Sequence, residues 1–487
     1  MRRYFFLLCV LLFSCETESS SNKNKSVDTE TLDTLPSAKE AQKEIVYRDL
    51  DAIKEEGILR ALVVYSSTSY FLYRGQTMGF EYELLKGLAE DLGVKLEVKI
   101  VDNLNHLIDA LLAGEGDIIA HGLTISSERK EKVAFSDYLY LTKQVLVQKK
   151  PDNWRTLNWA KLDRALIHDP MELLGDTVSV RKNTAYFQRI KNLSEELGGT
   201  IHIDTIKGSY STDEVMEKVS NGEVKYTVAD DYLANLQASY YSNLDVSVPV
   251  SFSQRIAWAV RPSSKNLLAE VNNWVVRIRK DVDYIVTYRK YFKNTRSFNR
   301  RIKSDFFSLN TNEISPYDDI IKKGADYLEW DWRLLSSLIY QESRFDPTTT
   351  SWAGAMGLMQ LMPGTANDMG VDNITDPTEN ITGGSKYLKK LYDYYNFIPD
   401  AEQRIKFTMA AYDCGFRHIE DAITLTKMNG LDKNTWDNNV ENMLLALSKE
   451  ENYRKEGIKY GYVKGTEPYN YVESIFRRYD HYQDFIK

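Results

Sequence analysis

Along the chain the apolar positions keep two different periods. Residues 58–64 form a short apolar run that reads as a strand, and residues 79–92 place Leu84, Leu85, Leu88 and Leu92 at helical spacing. Residues 95–101 alternate as a half-buried strand does, followed by a helix at 104–113 and a short apolar strand at 117–120. The order resumes at 177–180, 186–197, 215–219, 226–229 and 257–260, and the block runs to about residue 298. Strands and helices alternating at this spacing predict an α/β domain with a largely parallel sheet.

The basic stretch 296–303 separates a second texture. From Pro316 onward nearly everything carries helical spacing: 318–329, 332–342, 365–369, 382–395, 403–412, 419–428 and 470–479. This predicts an all-helical unit of ~180 residues, near the usual domain size. No internal repeat links the two halves. The expected division is a signal at 1–15, a flexible linker at 16–45, an α/β domain at 46–298, a linker at 299–315 and a helical domain at 316–487.

One helix carries candidate chemistry. Trp332, Leu335, Leu338 and Ile339 lie on one stripe, and Glu342 extends that stripe at its end. Burial without a cationic partner raises a carboxyl pKa, in known sites to ~6 or above. Such a glutamate holds a proton near neutral pH and can deliver it to a leaving oxygen. The competing reading pairs Glu342 with nearby Arg344 as an ordinary last-turn residue. Asp346 follows in an Asp-Pro turn, and no further acid appears before Asp368.

Composition narrows the function classes. The chain has 487 residues, too many for one ordinary core, and its 43% hydrophobic and 27% charged content fits a globular protein. Net charge is −8 with no long basic block, which disfavours nucleic acid as a partner. Arg2 and Arg3 precede an apolar run of about ten residues, half of what a bilayer-spanning helix needs. That segment ends Leu12-Phe13-Ser14-Cys15, which resembles a bacterial lipoprotein lipobox, and the polar stretch after it reads as a tether. With Cys9 removed and Cys15 lipidated, Cys414 is alone, so no intramolecular disulfide is expected. His106, His121, His168, His202, His418 and His481 show no ligand spacing; neither a metal nor another cofactor is expected.

Four ordered motifs then bear on Glu342. They are Glu342-Ser343-Arg344-Phe345; Ser351 followed by Gly354-Ala355-Met356-Gly357-Leu358-Met359-Gln360-Leu361-Met362-Pro363; Ala410-Ala411-Tyr412-Asp413-Cys414-Gly415; and Glu467-Pro468-Tyr469-Asn470-Tyr471-Val472. Together, over roughly 130 residues, they resemble the goose-lysozyme-like soluble lytic transglycosylase family. The resemblance implies a lysozyme-like fold that cleaves the MurNAc–GlcNAc β-1,4 bond of peptidoglycan glycan strands without water. The muramic acid's own 6-hydroxyl attacks C1 and leaves a 1,6-anhydro end. One acid/base residue then suffices, whereas hydrolysing glycosidases use two carboxyl groups. Glu342 matches that residue and Asp346 matches no catalytic position.

The other family positions carry over singly. Ser351 would hydrogen-bond near the acetamido group or the acid. Gln360 and Met362 would line the sugar subsite, with Gln360 offering donor and acceptor. Tyr412 would bring its hydroxyl near Glu342 or C1, and Glu467 and Tyr471 would complete the cleft. Gly354 and Gly357 would let backbone approach the sugar. Asp413 replaces the family's usual Asn, either raising the Glu342 pKa or facing away, and Pro468 replaces Thr.

The N-terminal block has its own motifs: Gly79-Phe80-Glu81-Tyr82-Glu83-Leu84, Gly122-Leu123-Thr124-Ile125-Ser126-Ser127-Glu128-Arg129, Val133-Ala134-Phe135-Ser136 and Val228-Ala229-Asp230. They resemble family 3 periplasmic solute-binding proteins, with Tyr82 departing from the usual aliphatic residue. The resemblance implies a two-lobe fold in which Arg129 forks onto a ligand carboxylate and Asp230 meets an α-ammonium, with Thr124 and Thr184 as hydrogen-bonding partners. The expected ligand is a muropeptide, stem peptide or amino acid, and its binding is expected to change access to Glu342. The expected location is the periplasm-facing cell envelope, lipid-anchored at Cys15 in the outer membrane. Two rivals are a lipid-tethered sensor with an inactive lysozyme-like domain, against which the intact Glu342 argues, and a transporter's receptor with a wall-anchoring tail.

Overall fold

The computed structural model describes residues 47–101, 104–182, 184–208 and 210–486. Cys15 and the expected signal and tether lie outside them. The first lobe is built on β1 (Ile58–Val63), β2 (Lys95–Ile100) and β3 (Ile118–Thr124), which pair in parallel in the order β2-β1-β3. Helix α1 (Phe80–Leu92) buries Leu84, Leu85 and Leu88 in this lobe's core, the spacing read from the sequence.

The chain then crosses into a second lobe. Its strands are β4 (Gln144–Lys149), β5 (Thr177–Arg181), β6 (His202–Ile206) and β7 (Tyr226–Asp230). β5 and β6 pair in parallel, whereas β7 and β4 pair antiparallel. Helix α2 (Thr212–Asn221) packs against β4 and β7. The chain returns through β8 (Gln254–Val260), which lies antiparallel to β3 and to the short strands Ala134–Phe135 and Tyr140–Thr142. The first sheet is therefore mixed, not largely parallel, because its fourth strand enters from the other lobe and runs the opposite way. The two crossings lie side by side: the Val250 N–H donates to the Gln144 carbonyl at 2.9 Å. Gln144–Lys149 and His202–Ile206 went unread in the sequence; in the latter His202, Ile203 and Asp204 alternate, but Thr205 puts a polar residue where the next apolar one is due.

Helix α3 (Thr295–Ile302) spans the expected domain boundary at 298. Residues 299–315 do not hang free. Arg301 is buried against the rings of Phe71, Tyr291 and Phe298, and Phe307 and Ile314 belong to the main core. The guanidinium there covers aromatic faces, a use of a basic residue that charge patterning alone reads as solvated.

The C-terminal domain is helical as expected. Its principal members are α4 (Asp318–Leu328), α5 (Trp332–Ser343), α6 (Pro377–Tyr394), α7 (Ala401–Cys414), α8 (Phe416–Met428) and α9 (Thr466–Phe485). Leu335, Leu338 and Ile339 are fully buried, as are Ser336 and Ser337 between them, so this helix is enclosed on more than the one stripe read from the sequence. α9 packs on both α5 and α7. It runs antiparallel to α5, stitched by Tyr479 Oη to Asp331 at 3.1 Å and Ser337 Oγ to the Ile475 carbonyl at 2.7 Å.

One hydrophobic core joins the first lobe to the helical domain. A hairpin of Phe71–Tyr73 and Gln76–Met78 meets the helical domain at its tip, where the Tyr482 hydroxyl donates to the Gly75 carbonyl at 2.7 Å. Gly75 has φ +73, and a Cβ there would come within 2.6 Å of Phe345. Among the described residues no helix is long and apolar enough to cross a membrane.

Candidate active site and ligand cavity

The antiparallel register of α5 and α9 brings Tyr471 opposite Glu342, and the Tyr471 hydroxyl donates a hydrogen bond to Glu342 Oε1. Glu342 is half-buried and forms no ion pair with Arg344, which is exposed and has φ +53 as it ends the helix. Burial pushes the Glu342 carboxyl up to about 8; the Tyr471 hydrogen bond pulls the other way, and the Asp413 charge adds to the rise. Asp413, an exposed residue, therefore bears on Glu342 through its charge and not through a hydrogen bond. Its own carboxyl, on the rim, is pushed up to about 6 by burial and by Glu467.

The loop after α5 is held from below. Asn380, fully buried in α6, accepts from the Met359 N–H at 2.7 Å and donates to the carbonyls of Met356 at 3.1 Å and Ile374 at 2.7 Å. Ser343 Oγ donates to the Leu358 carbonyl at 2.8 Å. Gly357, at φ +81, leaves only 2.2 Å between an added Cβ and Asn380 Nδ2. Its glycine is required by the loop's seat on α6, whereas Gly354 faces open space. Sequence reading missed Asn380; its one signal was an amide beside Ile381 on an apolar helix face.

The remaining expected residues gather around the same end of α5. Tyr412 Oη donates to the Met359 carbonyl at 2.6 Å, and the nearby Glu342 charge helps burial raise its pKa. Gln360 spends its amide N–H groups on the carbonyls of Thr349 at 2.9 Å and Gly357 at 2.8 Å. It therefore offers its oxygen alone, not both functions. Ser351 Oγ accepts from the Ala355 N–H at 3.0 Å, closing the loop, and makes no hydrogen bond to Glu342. Met362 is exposed beside them, and Glu467 is exposed and paired with Lys464 at 2.7 Å.

Between the two lobes lies a cavity of about 350 Å³ lined by Thr124, Arg129, Thr184 and Asp230, all four expected ligand residues. Thr184 serves as the N-cap of the helix Ala185–Glu196, accepting from the Phe187 N–H at 3.3 Å. Asp230 is 8% exposed; one carboxylate oxygen accepts from Tyr186 Oη at 3.0 Å and the other has no partner. Burial pushes its pKa up to about 7. Glu81, His121, Arg181 and Tyr186 also line the cavity and were not read as ligand residues from the sequence, since no local pattern marks which strand and helix positions of two lobes will face each other. Ser67 of the first lobe clasps Asp213 of the second at 3.0 Å.

A two-lobed solute-binding module followed by an all-helical glycan-cleaving type of domain is the class these features define. The chain matches the bacterial extracellular solute-binding proteins, family 3, over residues 39–294 and the transglycosylase SLT domain over residues 319–435. A membrane-bound lytic murein transglycosylase F from Desulfosudis oleivorans is 33% identical over 88% of this chain and 90% of its own length. One from Pseudomonas putida is 33% identical over 88% of this chain and 86% of its own. The chain belongs to the membrane-bound lytic murein transglycosylase F family. A solved ancestral arginine-binding protein bound to arginine is 26% identical, covers 48% of this chain and 98% of its own, and superposes with a TM-score of 0.41.

Proposed function

We propose that Glu342 is the single acid and base with which this chain cleaves peptidoglycan glycan strands. The chain is a peptidoglycan lytic transglycosylase carrying a solute-binding N-terminal module. The observation that carries the assignment of Glu342 is its carboxyl, pushed up to about 8 and hydrogen-bonded by Tyr471 at the end of an apolar helix face. A carboxylic acid protonated at neutral pH can protonate the leaving glycosidic oxygen. The carboxylate then left accepts the proton of the muramic acid 6-hydroxyl as that oxygen bonds to C1, which yields the 1,6-anhydro end. Tyr471 orients the carboxyl and stabilises its charged form, and in this reading Gln360, Met362 and Tyr412 line the sugar subsite.

The test is digestion of purified peptidoglycan followed by mass spectrometry. Anhydro ends are expected from the native chain. Glu342→Gln keeps the shape but cannot transfer the proton, and loss of acid–base assistance costs ~10²–10⁴-fold. Near-native cleavage by that variant overturns the assignment, and absence of products from the native chain favours the tethered sensor.

In the same reading Arg129 and Asp230 hold the carboxylate and ammonium of an amino acid, stem peptide or muropeptide, and occupancy changes access to Glu342. The support is contact: residues 66–69 line the cavity, and Tyr65 and Tyr70 beside them pack on Phe485 of α9, the helix that carries Tyr471. Lipid attachment at Cys15 would place both modules in the periplasm at the outer membrane. Membrane partitioning that persists in Cys15→Ser would exclude that anchor.

A further inference from the structure

The cavity offers more guanidinium donors than a simple amino acid fills. Arg129 uses one N–H on the Thr124 carbonyl at 3.0 Å. Arg181, the last residue of β5, donates to the Tyr210 carbonyl at 3.0 Å and to Thr212 Oγ1 at 2.9 Å. All three acceptors are neutral; the carboxylates that act on these guanidiniums, Glu128 on Arg129 and Asp213 and Glu214 on Arg181, do so through their charge and not by a hydrogen bond. Each side chain offers five donors, so most of both forks stay available. The two are close together: both charges, with burial, push His121 down to about 3, and both interact with Tyr186. Tyr186 in turn donates to Asp230, whose second oxygen is buried and unpartnered.

The other acids lining the cavity are Glu81, Asp213, Glu214 and Glu217, and the charges of Asp213 and Glu214 act on Arg181. Asp213 accepts from Ser67 and Gln237, and Glu214 caps its own helix through the Ser211 N–H. Glu81 is 2% exposed, and burial pushes it up to about 7. Two guanidiniums with free donors therefore line the same cavity as a carboxylate with a free, buried oxygen. Buried hydrogen-bonding groups left unfilled are costly, so a ligand with two carboxylates and one ammonium satisfies both forks and the free Asp230 oxygen.

We propose that this cavity takes an α-amino dicarboxylate, with Asp230 on its ammonium, Arg129 on one carboxylate and Arg181 on the second. The proposal rests on the reading of Arg129 and Asp230 as the amino-acid anchor and adds Arg181 as the residue that selects an acidic side chain. A cavity of about 350 Å³ admits glutamate or a glutamyl dipeptide. His121, kept uncharged, supplies a hydrogen-bonding edge without a third positive charge.

The experiment is calorimetric titration of the intact chain with D- and L-glutamate, D- and L-glutamine, and the dipeptides Glu-Ala and Gln-Ala. Charge-assisted hydrogen bonds to Arg181 predict that the glutamate member of at least one pair binds about ten- to a hundredfold tighter than its glutamine isostere. Whether the free amino acid or the dipeptide binds tighter identifies the source. Arg181→Met should erase that preference while glutamine binding stays within about threefold, which also shows the variant is folded. Equal affinity for glutamate and glutamine, or a preference that survives in Arg181→Met, overturns the dicarboxylate proposal alone. Glutamine binding unaffected by Arg129→Met, or no binding of any of these probes, overturns the underlying anchor reading and this proposal with it.

Discussion

Glu342 is a contest between three local effects, and each can be moved separately. Burial and the Asp413 charge hold its proton on, while the Tyr471 hydroxyl favours the charged form. The basic limb of the kcat/KM profile should therefore lie near pH 8, where the acid loses its proton. Tyr471→Phe should move that limb upward and Asp413→Asn downward; movement in the opposite directions would show that other groups set the limb. The same shift affects stability. Because the folded-state pKa is raised, the folded chain binds more protons than the unfolded one between about pH 4.5 and 8, and stability falls as pH rises through that window. The effect is on the order of a few kcal/mol at most, and Glu342→Gln should flatten this part of a melting-temperature-versus-pH curve. Glu342 itself was legible from its stripe and motif. The donor opposite it was not, because Tyr471 lies 129 residues away.

At the scale of elements, the loop between α5 and α6 depends on what lies beneath it. The Met, Gly and Gln residues that mark its sequence owe much of their pattern to seating: Gly357 meets Asn380, Met359 donates to it, and Gln360 braces the turn with φ +46. Asn380→Ala would strand the Met359 N–H and two carbonyls in the core. With each unsatisfied buried group costing ~1–3 kcal/mol, the variant should lose at least about 2 kcal/mol in urea unfolding. It should also lose cleavage while Glu342 remains in place. A loss under 0.5 kcal/mol, the range of ordinary surface changes, would show that water or a repacked loop replaces the amide. The motif was readable; its partner on α6 came from a stretch with no motif at all.

Across the whole molecule, the hairpin tip at Gly75 touches Phe345, three residues beyond Glu342, and its carbonyl accepts from Tyr482 on α9. Lobe motion that displaces this hairpin would reach both helices of the active site. Coupling of this kind is typically ~1–3 kcal/mol in binding terms. Tyr482→Phe removes the cross-module hydrogen bond and leaves both sites intact. It should preserve ligand affinity in the cavity and basal cleavage, and reduce the change in cleavage rate when ligand is added. An undiminished ligand effect would place the coupling elsewhere, and no ligand effect in the native chain would leave the module a localising device.

Local period is set within one or two turns, and that much the sequence alone determined: α1, α5 and the other long helices, the strands β1 to β3, the switch of texture near residue 300, and a glutamate at the end of an apolar stripe. Ordered motifs extended this to the family and to Arg129 and Asp230. Only the tertiary structure decided which distant groups meet. β8 runs antiparallel because it returns from the second lobe. Arg301, in a run read as a boundary, is buried because three aromatic faces surround it. Arg181, at a strand end of the second lobe, joins Arg129, on the short helix Ser127–Lys130 of the first, because the two lobes converge on the cavity. Such meetings depend on packing and desolvation across the whole chain, which no short window of residues encodes.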